Sequence, residues 1–309
     1  MPRPPKIQPG NFELDKYAHT KLVQHLVDRT RAWTPDTLQL GKKWYPTGQQ
    51  DSEYLGRQMG GGVAHGAAIF AKLSPQTDWQ LNRMMGLQTL HVDDKAAAKI
   101  HEAAALPGKE NAEARTQLRR EAGLPGTPLN HSTTGDISSA LRMRDAAPST
   151  PDPFTKENFS KLGTNHSTKV HDFGQSLATG GHYEKPPVDV HAYDAAVNTL
   201  TSGTDVAHGH LNKAHVYHFV QSAYVRAHAH AAKHGLIPSD MTLGDFQAIH
   251  WIHQQTQKVA ANTLSMGAVR GNANAVEKYR TALPHLDPAQ HGLSPVTRLD
   301  HFLAGRGGV

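Results

Sequence analysis

The chain of 309 residues contains no cysteine. That absence excludes disulfides, thiolate nucleophiles, cysteine-held zinc and cysteine-held iron–sulfur clusters. Aromatic residues are sparse at 6% and hydrophobic residues reach only 38%, so the core is thin and the surface wet. No apolar run approaches the roughly 20 residues that a membrane-spanning helix needs. The first segment, MPRPPKIQPGNF, lacks the apolar stretch of a secretory signal. The expectation is a soluble cytoplasmic protein of one large or two intimate domains, with no membrane partner. Two enzyme signatures are missing as well. No Gly-x-Ser-x-Gly elbow of a serine hydrolase occurs, and the run Gly60-Gly61-Gly62 lacks the lysine that would make it a phosphate loop.

What is present is a mild basic excess, 32 Lys+Arg against 27 Asp+Glu, and 22 histidines. A net charge of +5 permits nucleic-acid binding without demanding it. The apolar pattern is helical throughout, with no segment that alternates at period two. Residues 1–12 form a proline-rich arm. Helices are expected over 13–32, 63–73, 75–90, 93–105, 110–122, 136–145, 155–162, 168–179, 189–200, 211–235, 243–264 and 271–282, and 33–62 reads as loop. The stretch 63–73, VAHGAAIFAKL, is rich in small residues that let a neighbour approach closely. Asp93 and Asp94 suit the positive end of a helix, and Thr242 reads as an N-cap. The fold class is therefore all-α.

Three segments carry chemistry. The first is LSPQTDWQLN, with Ser74, Gln76, Thr77, Asp78 and Asn82 clustered after an apolar helix. The second is the turn Gly163-Thr164-Asn165-His166-Ser167-Thr168 between two short helices, with Lys169 opening the second. Backbone N–H groups at such a helix start suit a phosphate. The third is VDVHAYDAA, in which Asp189 precedes a helix and His191 follows it closely. Each has a plainer reading. Asp189 alone reads as an N-cap, Lys169 as a solvated helix residue, Gln76 as a cap or a buried turn's hydrogen-bond partner, and Trp79 as a core anchor. The pairs His230/His234 and His250/His253 have helical spacing for a metal. With 22 histidines chance pairs are common and no HExxH is present, so neither metal nor cofactor is expected.

In this order the three segments resemble the helix-hairpin-helix DNA glycosylase superfamily, of which endonuclease III is a member. LSPQTD is similar to that family's LSxQTxD segment, LGTNHSTKVHDFGQSLA to its hairpin, and VDVHAYDAA to its VDTHVxR segment. The likeness extends to a group of actinobacteriophage proteins without assigned function, and spans about 65–260. It implies a two-lobed helical fold without iron–sulfur cluster, divided as 1–64, 65–188 and 189–309. The first and last parts would pack as one lobe, with Asp189 at the junction with the middle lobe. It implies that Asp189 drives glycosidic cleavage and that Lys169 attacks the sugar C1′ in a lyase step. Gln76 would fill the hole left by a flipped base. Ser74, Thr77, Asp78, Asn82, the turn 163–168 and His191 would contact double-stranded DNA. The turn departs from the family by lacking a Gly-x-Gly core and by about one extra residue, and Pro75 stands where the family has a small residue.

The functional expectation is a DNA N-glycosylase-like enzyme, phage-encoded, acting on a damaged or modified base in a bacterial host cell. Two rivals remain open. One is a non-catalytic DNA-binding or virion-associated protein with the same fold. The other is an enzyme of free nucleosides or nucleotides.

Overall fold

The computed structural model describes residues 16–75, 79–161, 167–200, 209–261 and 266–293. Among them the protein is all-α, and no strand is present. The helices are α1 (Lys16–Thr30), α2 (Pro35–Gln58), α3 (Val63–Leu73), α4 (Trp79–Thr89), α5 (Asp94–Ala105), α6 (Ala112–Glu121), α7 (Thr134–Ala146), α8 (Lys156–Lys161), α9 (Thr168–Ala178), α10 (Val190–Val197), α11 (Ala214–Lys233), α12 (Leu243–Ala260) and α13 (Met266–Ala282). Short 3-10 turns lie at Pro128–His131, Pro284–Leu286 and Pro288–His291. No helix among the described residues is long and apolar enough to cross a membrane.

Local signals explain several helix starts. The side chain of Asp93 accepts the Ala96 N–H at 2.7 Å and opens α5. Thr133 caps α7 and Ser167 caps α9 in the same way. Thr242 and Asp245 exchange reciprocal bonds at 3.0 Å to start α12, which satisfies two otherwise orphaned donors. Gly180 and Gly181, both at positive φ, end the segment after α9, where a residue with a Cβ would be strained.

One sequence expectation fails here. Residues 33–62 read as loop, yet Pro35–Gln58 is a single helix of 24 residues. Gly41, Gly48, Gly56 and Pro46 dilute its apolar pattern, and tertiary packing overrides their low propensity. The glycines are contact points. A Cβ on Gly41 would lie 2.2 Å from the Ile249 side chain, one on Gly48 would lie 2.4 Å from Leu177, and one on Gly56 would lie 2.0 Å from the Gly62 carbonyl oxygen.

The chain forms two compact units. Unit 1 takes the chain up to Tyr45 and again from Gly181 to Met266, and unit 2 takes Pro46–Gly180 and resumes at Gly267. The boundary thus falls within α2, between Tyr45 and Pro46. In unit 1, α1 packs on α11 and α10, and α12 packs on α10 and α11. Leu22, Leu26, Val188, Val220, Tyr224, Phe246 and Ile249 fill its core. In unit 2, α3 is the central helix, packed on α4, α7 and α9. Gly174 permits the approach of α9 to α3, since a Cβ there would lie 3.1 Å from the Ala71 Cβ, and Gly66 permits that of α2 to α3, since a Cβ there would meet the Ser52 carbonyl oxygen. A buried bidentate pair also ties α2 to α4 there. Arg83 meets both Asp51 oxygens at 2.9 Å.

Candidate functional site

The site is built on α10 and α12 within unit 1. Pro186 and Pro187 hold the chain extended before α10, and Val188 is fully buried behind it. Asp189 then stands in extended backbone as the N-cap of α10, and its Oδ1 accepts the Ala192 N–H at 2.8 Å. Its Oδ2 accepts the Trp251 Nε1–H of α12 at 2.7 Å. Two N–H donors suit an ionised, acceptor-only carboxylate, and they fix its orientation. Asp189 is half-buried. The Trp251 ring lies 5.1 Å from that of Trp44 and meets the edge of His191 at 6.0 Å.

One turn along, Lys258 of α12 donates to Asp194 of α10, and both are almost completely buried. Burial pushes the Asp194 carboxyl above the usual carboxylate range and Asp189 adds to the rise, while Lys258 pulls it down. The Lys258 ammonium also lies 3.5 Å from His191 Nδ1. An ammonium only donates, so in this contact Nδ1 faces the Lys258 donor. The cluster therefore holds two carboxylates and one ammonium together with the rings of Trp44, Trp251 and His191.

Beneath it lies a second polar layer. Arg29 of α1 is buried and donates to Gln254 Oε1 at 2.6 Å and Gln257 Oε1 at 3.0 Å. Gln254 in turn donates to the Thr199 carbonyl at 2.6 Å. His250 is fully buried among Trp33, Phe246 and Tyr224, with ring centroids 5.0, 4.7 and 5.8 Å away. Among the described residues neither of its nitrogens has a hydrogen-bond partner. Burial holds its pKa well below the ordinary histidine value, and the charge of Arg29 adds to that. The same two causes depress His253 to about 4. Among the described residues, no group of three or more histidine and carboxylate side chains is placed to hold a metal.

The residues singled out from sequence divide as follows. Asp189 and His191 belong to this cluster. Ser74, Asn82, Ser167, Thr168 and Lys169 belong to unit 2, as α3, α4 and α9 do. Ser74 donates its hydroxyl to the Ala71 carbonyl at 2.8 Å. Asn82 is buried and donates to the Phe70 carbonyl at 3.0 Å, a strut between α4 and α3 rather than a surface contact. Ser167 caps α9, and Thr168 and Lys169 are exposed on its first turn. Gln76, Thr77 and Asp78, and Gly163, Thr164, Asn165 and His166 of the turn, lie outside the described residues.

Sequence reasoning missed Trp251, Lys258, Asp194 and Arg29. The signal for Trp251 and Lys258 was their spacing of seven on α12, which stacks them on one helix face. Asp194 is five positions beyond Asp189. Unit 2 holds a further unanticipated lysine. Lys72 of α3 is fully buried with its ammonium 3.7 Å from the Phe159 ring centroid. Burial lowers its pKa to about 8 against the pull of Asp136.

Comparison with protein families finds one match, to the family described as "Family of unknown function (DUF7178)", over residues 11–259. Comparison with curated proteins finds no match, and comparison with solved structures finds none.

Proposed function

The chain belongs to DUF7178, a family of unknown function, and we propose that it is a DNA N-glycosylase-like enzyme that releases a flipped, damaged or modified base. The observation that carries this reading is the Asp189 carboxylate, held by the Ala192 and Trp251 N–H groups at the half-exposed start of α10. Its surroundings, VDVHAYDAA, are the segment that resembles the catalytic one of helix-hairpin-helix glycosylases.

The chemistry suits a fixed carboxylate. As the C1′–N bond breaks, its electron pair leaves with the base and positive charge develops at C1′. A preoriented carboxylate stabilises that charge or takes a proton from the water that adds to C1′. The base must first leave the stack. His191, two residues along from Asp189, carries an imidazole suited to a phosphate or base oxygen. Lys169 would act only in a second, lyase step: its neutral amine adds to the C1′ aldehyde of the abasic sugar, water leaves to give the imine, and loss of a C2′ proton expels the 3′ phosphate.

A specific observation favours one rival. Asp189 is already a working N-cap, so its carboxylate has a folding role that requires no catalysis. On that reading the chain is a DNA-binding protein without base release.

The test is a panel of duplexes bearing uracil, hydroxymethyluracil, oxidised, alkylated or abasic sites, run with and without borohydride. Alkali-labile sites that depend on Asp189 support excision. A trapped adduct that Lys169→Ala abolishes adds the lyase step. Salt-sensitive binding with no base release on any duplex supports the binding protein instead.

A further inference from the structure

The helix α11, AHVYHFVQSAYVRAHAHAAK, contains no aspartate and no glutamate along 20 residues. Its inner side is buried through Val216, Val220, Ala223, Tyr224 and Ala227. His215, His218, Arg226, His230 and Lys233 are exposed. At 100° per residue they fall on one outward arc, and at 1.5 Å per residue the stripe is about 27 Å long. Among the described residues neither Arg226 nor Lys233 forms an ion pair, whereas Arg31, Lys42, Arg57, Lys99, Lys258 and Arg280 each do.

The acids on neighbouring elements are engaged elsewhere. Asp28 of α1 pairs with Arg31, Asp194 of α10 is buried on Lys258, and Asp245 of α12 caps its own helix. Asp240, in the loop after α11, lies 3.5 Å from Lys42. The charge of Arg226 is felt across the surface, since it depresses the pKa of His19 on α1, second to burial. His19 itself is bonded to Ser222 in the middle of the stripe at 2.8 Å. The result is a straight row of donors with no counter-charge on its own helix.

We propose that this outer face of α11 seats the phosphodiester backbone of double-stranded DNA, an inference that rests on the DNA-directed function above and gives unit 1 its docking surface. A phosphate backbone offers a regular line of anions, and cations placed along one axis neutralise it while releasing counterions. Arg226 and Lys233 are two helical turns apart, and imidazole donors lie between and beside them. An anionic membrane would need apolar side chains among the cations, and Val225 is the one large exposed hydrophobic residue on this helix.

The test is fluorescence anisotropy with a labelled 20-base-pair duplex between 50 and 300 mM salt, using the full chain. Arg226→Gln with Lys233→Gln should weaken binding at least tenfold and flatten the salt slope by about 2, one for each phosphate no longer neutralised. Arg226→Glu with Lys233→Glu should weaken it further. Lys95→Glu with Lys109→Glu, both exposed in unit 2, should change affinity less than threefold. All the sites are exposed, and matched melting curves establish that the variants fold. Wild-type affinity in the α11 variants overturns the surface, as does an equal loss in the unit 2 control. Equal affinity for an anionic vesicle or a polyglutamate at the same salt overturns it too. Base release is read separately. If the α11 variants lose affinity and the wild type releases no base, this surface stands and the glycosylase reading falls. If base release persists and the α11 variants bind as wild type, the reverse holds.

Discussion

On the proposed function, folding and chemistry would use the same Asp189 carboxylate, and substitutions separate them. Asparagine is as good an N-cap as aspartate, so Asp189→Asn keeps an acceptor for the Ala192 N–H, loses the negative charge, and turns an amide NH2 toward the Trp251 N–H that Oδ2 accepted. Alanine removes both bonds, and Asp189→Ala should cost about 2–3 kcal/mol in urea denaturation, with Asp189→Asn losing about 1–2 kcal/mol through the Trp251 bond alone. Trp251→Phe keeps the ring beside Trp44 and removes the donor to Oδ2. It should cost about 1–2 kcal/mol and lower the rate of base release more than it changes duplex affinity. The Lys258–Asp194 pair is buried on both sides, so leaving one partner alone is expensive. Lys258→Met should destabilise by about 3–5 kcal/mol. The double variant Lys258→Met with Asp194→Leu should recover much of that. A double variant no more stable than the single would mean that the cost of Lys258→Met does not come from leaving Asp194 buried and unpaired.

Among the elements, α2 and α3 mark where sequence reading succeeds and where it stops. The apolar, small-residue character of 63–73 is visible in the letters alone, and α3 is the buried centre of unit 2. Helix starts with an Asp, Ser or Thr cap, such as α5, α9 and α12, were legible for the same reason: the signal is local. The helix α2 was not legible. Its glycines serve contacts with Ile249, Leu177 and Gly62, partners far away in sequence or set by tertiary packing, and nothing in 33–62 announces them. Gly66→Ala follows from the same geometry. Its Cβ would lie 2.0 Å from the Ser52 carbonyl oxygen and 3.0 Å from the Gly56 nitrogen, so backbone must move. A loss of about 1–3 kcal/mol is expected, read as a lower urea midpoint, while the better helix propensity of alanine offsets under about 1 kcal/mol. A midpoint equal to wild type would contradict the close packing of α2 on α3.

For the protein taken entire, the buried histidines set a pH dependence. His250 and His253 have pKa values below that of the unfolded chain, near 6.5. As pH falls, the unfolded state takes up protons first, so stability declines from about pH 6.5 and continues to decline to about 4, where His253 titrates in the fold. Urea denaturation between pH 6.5 and 5 should show this slope, and His250→Gln with His253→Gln should flatten it. The candidate site was half legible in the sequence. Asp189 and His191 could be found because they share one short segment. Trp251, Lys258 and Arg29 could not, because α1 and α12 meet α10 only after the chain has folded across more than 150 positions between Arg29 and Asp189.

A glycosylase differs from a helical scaffold in one respect that can be measured here: the Asp189 charge must act on a sugar carbon as well as on a helix. Single-turnover base release by wild type and Asp189→Asn separates the two, on the duplex that the wild type cleaves best and with melting midpoints measured in parallel. The expected result is a rate lower by about a hundredfold or more in a protein still fully folded at the assay temperature, its midpoint lowered no more than that of Trp251→Phe. Equal rates in the two proteins would contradict the enzyme and leave Asp189 as a helix cap alone.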